Sequence, residues 1–124
     1  MDLRPTSLDH DRARPLRPGE RQIVEAMLYG KCSRDDLVST LDTCLVEDMQ
    51  DGGMGSIRFL SMSQTRPRFG RAIAEAEYTD EDGALVSITV NVDGGGKLFE
   101  LDVWKVDFSP LRRYPTPAEL RITP

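Results

Sequence analysis

From Thr43 onward the chain alternates apolar and polar residues with a period of 2, and the alternation is cut by Asp/Gly turns, above all Asp80-Glu81-Asp82-Gly83 and Asp93-Gly94-Gly95-Gly96. Runs of this kind are strands, and strands joined by turns so short must pair antiparallel. The spacing predicts strands over 43–49, 56–62, 71–79, 84–92 and 97–106. A three-residue hairpin with Gly83 in the left-handed position sets Asp80 opposite Ala84, and so Ala76 opposite Ile88 and Ala74 opposite Val90. A four-residue loop at the second turn sets Val92 opposite Lys97, Val90 opposite Phe99, Ile88 opposite Leu101 and Val86 opposite Val103. One face of the sheet then carries Ala72, Ala74, Ala76, Val86, Ile88, Val90, Phe99, Leu101 and Val103, and it is the face to be buried.

Upstream the period is helical. Pro18 suits a first turn, Glu20 the positive helix end, and Ile23, Val24, Met27 and Leu28 form a stripe that stops before Gly30. Ser33, followed by Asp35 and Asp36, marks a second start, with Leu37, Val38 and Leu41 as its stripe and an end near Asp42. Residues 1–17 are polar and read as a flexible arm; residues 18–124 read as one domain, which includes an extended, Pro-interrupted C-terminal tail. With 124 residues, 39% of them hydrophobic, the chain supplies one core. The expected architecture is α+β, with two N-terminal helices packed on one face of a four- to five-stranded antiparallel meander.

Several chemistries are set aside at this level. A net charge of −5 repels a phosphate backbone, so no nucleic acid is expected as partner. No run of about 18 apolar residues and no basic-then-apolar leader is present, which argues for a cytoplasmic protein with no membrane partner. Cys32 and Cys44 lack metal-ligand or redox spacing and read as free thiols, and the sole histidine, His10, falls in the polar arm, so neither a zinc site nor a His-assisted nucleophile is expected. Asp51-Gly52-Gly53-Met54-Gly55 lacks the Lys-Ser/Thr of a phosphate loop and reads as a tight turn. Asp80-Glu81-Asp82 does not have the spacing of a calcium loop. Arg66-Pro67-Arg68, with Phe69 and Arg71, is the one basic cluster in the sheet region and reads first as a solvated loop, second as a contact for phosphate or an acidic partner. No cofactor, catalytic residue or metal ligand is assigned.

The face opposite the core carries the functional expectation. In the register above, Glu77, Ser87 and Asp102 form one row and Glu75, Thr89 and Glu100 the next, with Leu85 and Trp104 opposite each other at one end. Carboxylates two strands apart in a row are about 9 to 10 Å from each other, close enough to feel one another's field. Residues 42–107 hold 13 acidic and 6 basic side chains, net −7, whereas residues 108–124 hold three Arg and one Glu. An aromatic anchor beside carboxylates suits a basic protein partner. The leading expectation is therefore a non-enzymatic interaction module, of immunity or inhibitor type, that presents Glu75, Glu77, Ser87, Thr89, Glu100, Asp102 and Trp104. The alternative is a small hydrolase or a divalent-metal-dependent enzyme using two of these carboxylates. A third reading is a homodimer through Ile73, Leu85, Leu98 and Trp104. The basic tail is a competitor for the same face, with Arg112 or Arg113 pairing with Glu100 or Asp102.

Three stretches, Leu16-Arg17-Pro18-Gly19-Glu20-Arg21, Asp51-Gly52-Gly53-Met54-Gly55-Ser56 and the longer Phe99-Glu100-Leu101-Asp102-Val103-Trp104-Lys105-Val106-Asp107-Phe108-Ser109-Pro110-Leu111, together resemble a family of small uncharacterised bacterial proteins, a domain of unknown function. The resemblance implies a bacterial cytosolic origin and transfers no mechanism. The likeness to toxin-neutralising immunity proteins is one of fold type only.

Overall fold

The computed structural model describes residues 12–61 and 66–124. In chain order the elements are strand β1 (Arg14–Pro15), helix α1 (Pro18–Leu28), helix α2 (Arg34–Ser39) continued by a 3-10 turn (Thr40–Asp42), β2 (Leu45–Asp48), β3 (Ile57–Phe59), β4 (Phe69–Thr79), β5 (Leu85–Asp93), β6 (Leu98–Lys105), a second 3-10 turn (Pro117–Glu119) and β7 (Arg121–Ile122). Helix α1 starts where Pro18 places it, and the Glu20 carboxylate accepts the Arg17 backbone N–H at 2.9 Å. Helix α2 is shorter than its stripe suggests. The Ser39 and Thr40 hydroxyls donate to the carbonyls of Asp36 and Leu37 at 2.8 and 2.7 Å, and the last turn tightens to 3-10.

The strands form a single seven-stranded sheet in the order β1-β2-β3-β6-β5-β4-β7, antiparallel throughout. This corrects the expected meander of four or five strands. Only β4, β5 and β6 follow one another as hairpins; β3 pairs with β6, so the connection from β3 to β4 crosses back and the four strands make a Greek key. The two outermost strands come from segments read as non-strand. Arg14 and Pro15, assigned to the arm, pair with Val46 and Leu45, and Arg121 and Ile122 of the tail pair with Glu77 and Ala76. Proline at the sheet edge costs no ladder bond. Arg14 is fixed by ion pairs to Glu20 at 2.8 Å and Asp48 at 2.7 Å. Residues 1–11 of the expected arm, His10 among them, lie outside the described residues, as does the end of the strand expected over 56–62.

The first hairpin has the expected register, with Ala76 opposite Ile88 and Ala74 opposite Val90. The second is displaced by two positions: Val90 faces Leu101, and Ile88 faces Val103. Two single-residue slips add. The turn is closed by Asp93 N–H to the Lys97 carbonyl, with Gly96 at φ 84°, so three residues and not four form the loop. Phe99 is then bulged out between the pairs Asn91–Glu100 and Val92–Leu98. A shift of two restores the alternation, so the core face is nearly the one expected: Ala74, Ala76, Tyr78, Val86, Ile88, Val90, Leu101 and Val103 pack with Ile23, Val24, Met27, Leu28, Leu37 and Leu41 of the helices. Ala72 is the exception and is exposed, because β4 departs from its ladder between Ala72 and Ala74. Phe99 is buried apart from this cluster, under the Arg58 guanidinium at 5.4 Å from the ring centre.

The core face continues the alternation of β6 onto a cation. Lys105 is fully buried; its ammonium donates to Asp80 Oδ2 at 2.9 Å, Asp82 Oδ2 at 2.6 Å and the Pro110 carbonyl at 3.1 Å. Asp80, also buried, accepts in addition the backbone N–H groups of Glu81 (2.8 Å), Arg112 (2.8 Å) and Arg113 (3.1 Å). The Tyr78 hydroxyl donates to the Arg113 carbonyl at 3.0 Å, and Leu111 N–H to the Gly53 carbonyl at 3.0 Å. The tail is thereby tied to the β4–β5 turn. Burial pushes the Asp80 carboxyl up, but the backbone donors of Arg112, Glu81 and Arg113 together with Lys105 outweigh it and hold the group at about 2, below its ordinary 3.8.

Because the folded value is depressed, Asp80's contribution to stability is complete above its ordinary titration range and is lost as the pH falls toward 2. Replacing Asp80 by Ala leaves three backbone donors without an acceptor and the buried Lys105 ammonium with only Asp82 and the Pro110 carbonyl; we expect a loss of about 3 to 5 kcal/mol in urea unfolding at neutral pH. The variant should also lose the part of the acid-induced destabilisation that Asp80 causes, which parallel unfolding curves from pH 7 to pH 3 would detect.

Candidate protein-binding face

Side chains that do not face the helices project from the other side of β4, β5 and β6. With β6 displaced, Glu77, Ser87 and Trp104 share one row, and Glu75, Thr89 and Asp102 the next; Glu100 lies beside Asn91 and Arg58. This corrects the expected rows, in which Asp102 stood with Ser87 and Glu100 with Thr89. The seven residues still share one face. Glu75, Asp102 and Trp104 are exposed, whereas Glu77, Ser87, Thr89 and Glu100 are half-buried.

The four carboxylates are not equivalent. Glu100 pairs with Arg58 at 2.8 Å, and Glu77 with Arg121 of β7 at 3.4 Å. Glu75 has no side-chain partner among the described residues, and Asp102 accepts only the Ser56 hydroxyl, at 3.3 Å. Although its side chain reaches solvent, partial desolvation of the carboxyl by the sheet around it, then the charge of Glu100 and more weakly that of Asp51, raise Asp102 above its ordinary value despite the bond from Ser56. The tail does not cover this pair. Arg112 and Arg113, expected opposite Glu100 or Asp102, instead meet Asp82 at 3.8 Å and Glu81 at 3.3 Å, and Arg113 also pairs with Glu119.

At the Asp80 end the face turns apolar. Trp104 is 46% exposed and Phe108 66%, and their rings meet edge to face with centres 5.9 Å apart. Leu85 and Val106 are exposed beside them, joined by Val106 N–H to the Leu85 carbonyl at 2.9 Å; Leu85 thus lies next to Val106 and not opposite Trp104 as expected. Phe108 has φ 63°, the one left-handed non-glycine among the described residues. Its N–H donates to the Lys105 carbonyl at 2.9 Å, and the Asp107 carboxylate accepts the Ser109 N–H and hydroxyl at 3.0 and 2.7 Å, so bonds on both sides hold the ring outward. Val106 and Phe108 were missed as site residues. The signal was the alternation Trp104-x-Val106-x-Phe108, which runs on past the strand. Of the four residues expected in a dimer contact, Ile73 packs partly buried on the core and Leu98 is buried, which leaves Leu85 and Trp104 open.

The Gly-rich turn among the other sequence candidates is structural. The Asp51 carboxylate accepts Met54 N–H at 3.1 Å and Ser56 N–H at 2.9 Å, which closes its Gly-rich turn on itself. Cys32 and Cys44 are free thiols, the first exposed and the second half-buried. Among the described residues no group of three or more His, Cys, Asp or Glu side chains is placed to hold a metal ion. No helix there is long and apolar enough to cross a membrane, which leaves β-barrel spanning unaddressed.

The fold and this face define a small α+β Greek-key domain with an acidic, aromatic-flanked sheet surface. Residues 13–115 match the model of a domain of unknown function, DUF6984, and the chain belongs to that family. No curated protein and no solved structure matches the chain.

Removing the charge of Glu100 tests the electrostatics of the face. In Glu100→Gln the Asp102 carboxyl should titrate at a lower pH than in the parent protein, as read by carboxyl carbon NMR. An unchanged titration would mean that the charge of Glu100 does not contribute to the shift.

Proposed function

We propose that the chain is a non-enzymatic protein-interaction module that engages a basic protein surface through Glu75, Asp102, Trp104 and Phe108. The observation that carries this reading is the outward-held Trp104–Phe108 pair beside two carboxylates that have no basic side-chain partner among the described residues. A rigid aromatic pair supplies desolvated contact area at low entropic cost, and adjacent negative charge steers a cationic partner. Glu77, Ser87, Thr89 and Glu100 form the polar margin, with Arg121 and Arg58 masking two of its charges. The chain's two free thiols and net charge of −5 suit a cytoplasmic immunity- or inhibitor-type protein that neutralises a basic target. The hydrolase or metal-dependent alternative has no comparable support, since the carboxylates stand in an open sheet row and not in a cleft that would desolvate a pair.

The test uses the full chain as bait in a lysate of its native host. A basic partner should be retained by the parent protein and by Lys31→Ala, and released as salt rises. Trp104→Ala should weaken it by about 2 kcal/mol or more, and Glu75→Lys with Asp102→Lys should abolish it. If every recovered partner binds all variants equally, the face is not the interaction surface.

A further inference from the structure

In a chain with more acid than base, most cations find a carboxylate. Arg14, Arg17, Arg21, Arg34, Arg58, Lys105, Arg112, Arg113 and Arg121 are all paired. The described basic side chains without such a partner are Arg12, Lys31, Arg66, Arg68, Arg71 and Lys97. Four of these six gather at the Asp93 end of the sheet, remote from Trp104. Arg66, Arg68 and Lys97 line one groove of about 610 Å³ together with Gly94 and Gly95, and Arg71 lies on the adjoining stretch of β4, opposite Val92.

The scaffold explains the gathering. A Cβ on Gly70 would sit 2.4 Å from the Asp93 carbonyl oxygen, so glycine alone lets β4 approach the β5–β6 turn this closely. The ladder is irregular there, between Phe69 and Arg71. Among the described residues that line the groove the one acid is Asp93, whose Oδ1 accepts Gly95 N–H at 2.9 Å and Lys97 N–H at 3.0 Å. The groove also runs into a second space. Ser61, Pro67, Asp93, Gly95 and Lys97 line both it and a cleft of about 480 Å³, whose walls include Leu37, Cys44, Phe59, Leu60 and Leu98, with Asp36 and Thr40 as polar members on the helix α2 side. Burial raises the Cys44 thiol, consistent with a poorly hydrated wall.

We propose that this composite cleft binds a small organic phosphate monoester, the dianionic head held by Arg66, Arg68 and Lys97 and the apolar or aromatic body lodged among Leu37, Phe59, Leu60 and Leu98. Three unpaired cations match a dianion better than a carboxylate, and guanidinium forks suit phosphate oxygens. An adjoining cleft of this size, apolar with a few convergent polar groups, is the usual form of a small-ligand site. The assignment is independent of the acidic face.

Phenyl phosphate is the probe, with inorganic phosphate and phenol as arms for head and body alone. Calorimetry on the full chain should show one site for phenyl phosphate, at least about tenfold tighter than either arm. In amide NMR the shifts should centre on Gly94 to Leu98 and Leu60. Arg68→Ala with Lys97→Ala, both at exposed positions, should weaken binding about tenfold or more while the unfolding midpoint stays unchanged. Leu60→Asp should weaken phenyl phosphate more than inorganic phosphate. Equal affinity for phenyl and inorganic phosphate, shifts located elsewhere, or binding unaffected by the double variant would each overturn the proposal.

Discussion

The buried contact between Lys105 and Asp80 is the constraint on which the rest of this structure depends. An ammonium and a carboxylate removed from water are costly unless every hydrogen-bonding position is filled, and here they are filled by a second carboxylate, a tail carbonyl and three backbone donors. Those partners come from the β4–β5 turn, from β6 and from the segment after it. The pair is satisfied only when all three meet, so it fixes where the tail leaves the sheet. That exit in turn sets the Lys105-to-Phe108 turn, which aims the Phe108 ring at Trp104, and it leads the chain on to β7 along β4.

The three stretches that carry the family resemblance converge on the same region. Leu111 N–H reaches the Gly53 carbonyl, Lys105 N–H lies 3.2 Å from the Met54 sulfur, and a Cβ added at Gly19 or Gly55 would come within 3.7 or 3.9 Å of the Tyr114 ring. Segments far apart in sequence thus share the work of clamping the tail. Their composition follows from packing as much as from any ligand, and the surfaces to which binding is attributed lie to either side of this clamp.

Charge is partitioned by the same geometry. The ends of the sheet are joined by three long strands; the turn at one end carries Asp80, Glu81 and Asp82, and the Gly-rich turn at the other carries Asp93 alone. At the Asp80 turn the acids are consumed by Lys105 and by the tail amides, so the exposed surface there is aromatic. At the Asp93 turn the acid is spent on its own loop amides, and the neighbouring cations are left over. On the intervening face Arg58 and Arg121 pair with Glu100 and Glu77, and Glu75 and Asp102 have no cation among the described residues.

Local rules were enough for much of this. Period and turn chemistry fixed both helix starts, the β4–β5 register and the division of β4, β5 and β6 into a buried and an open face, since those depend on neighbours in sequence and on the two-residue repeat of a strand. The rows of the open face were not legible, because a loop one residue shorter and a bulge at Phe99 each slip the pairing by one and together leave the alternation intact. Lys105 stood at an inward position beside an acidic turn, yet only the arrival of residues 110–113 makes burying it tolerable. The edge strands β1 and β7, the Greek-key return of β3 and the basic cleft likewise arise from contacts across long sequence separations, where short segments gain structure only from the partner they meet.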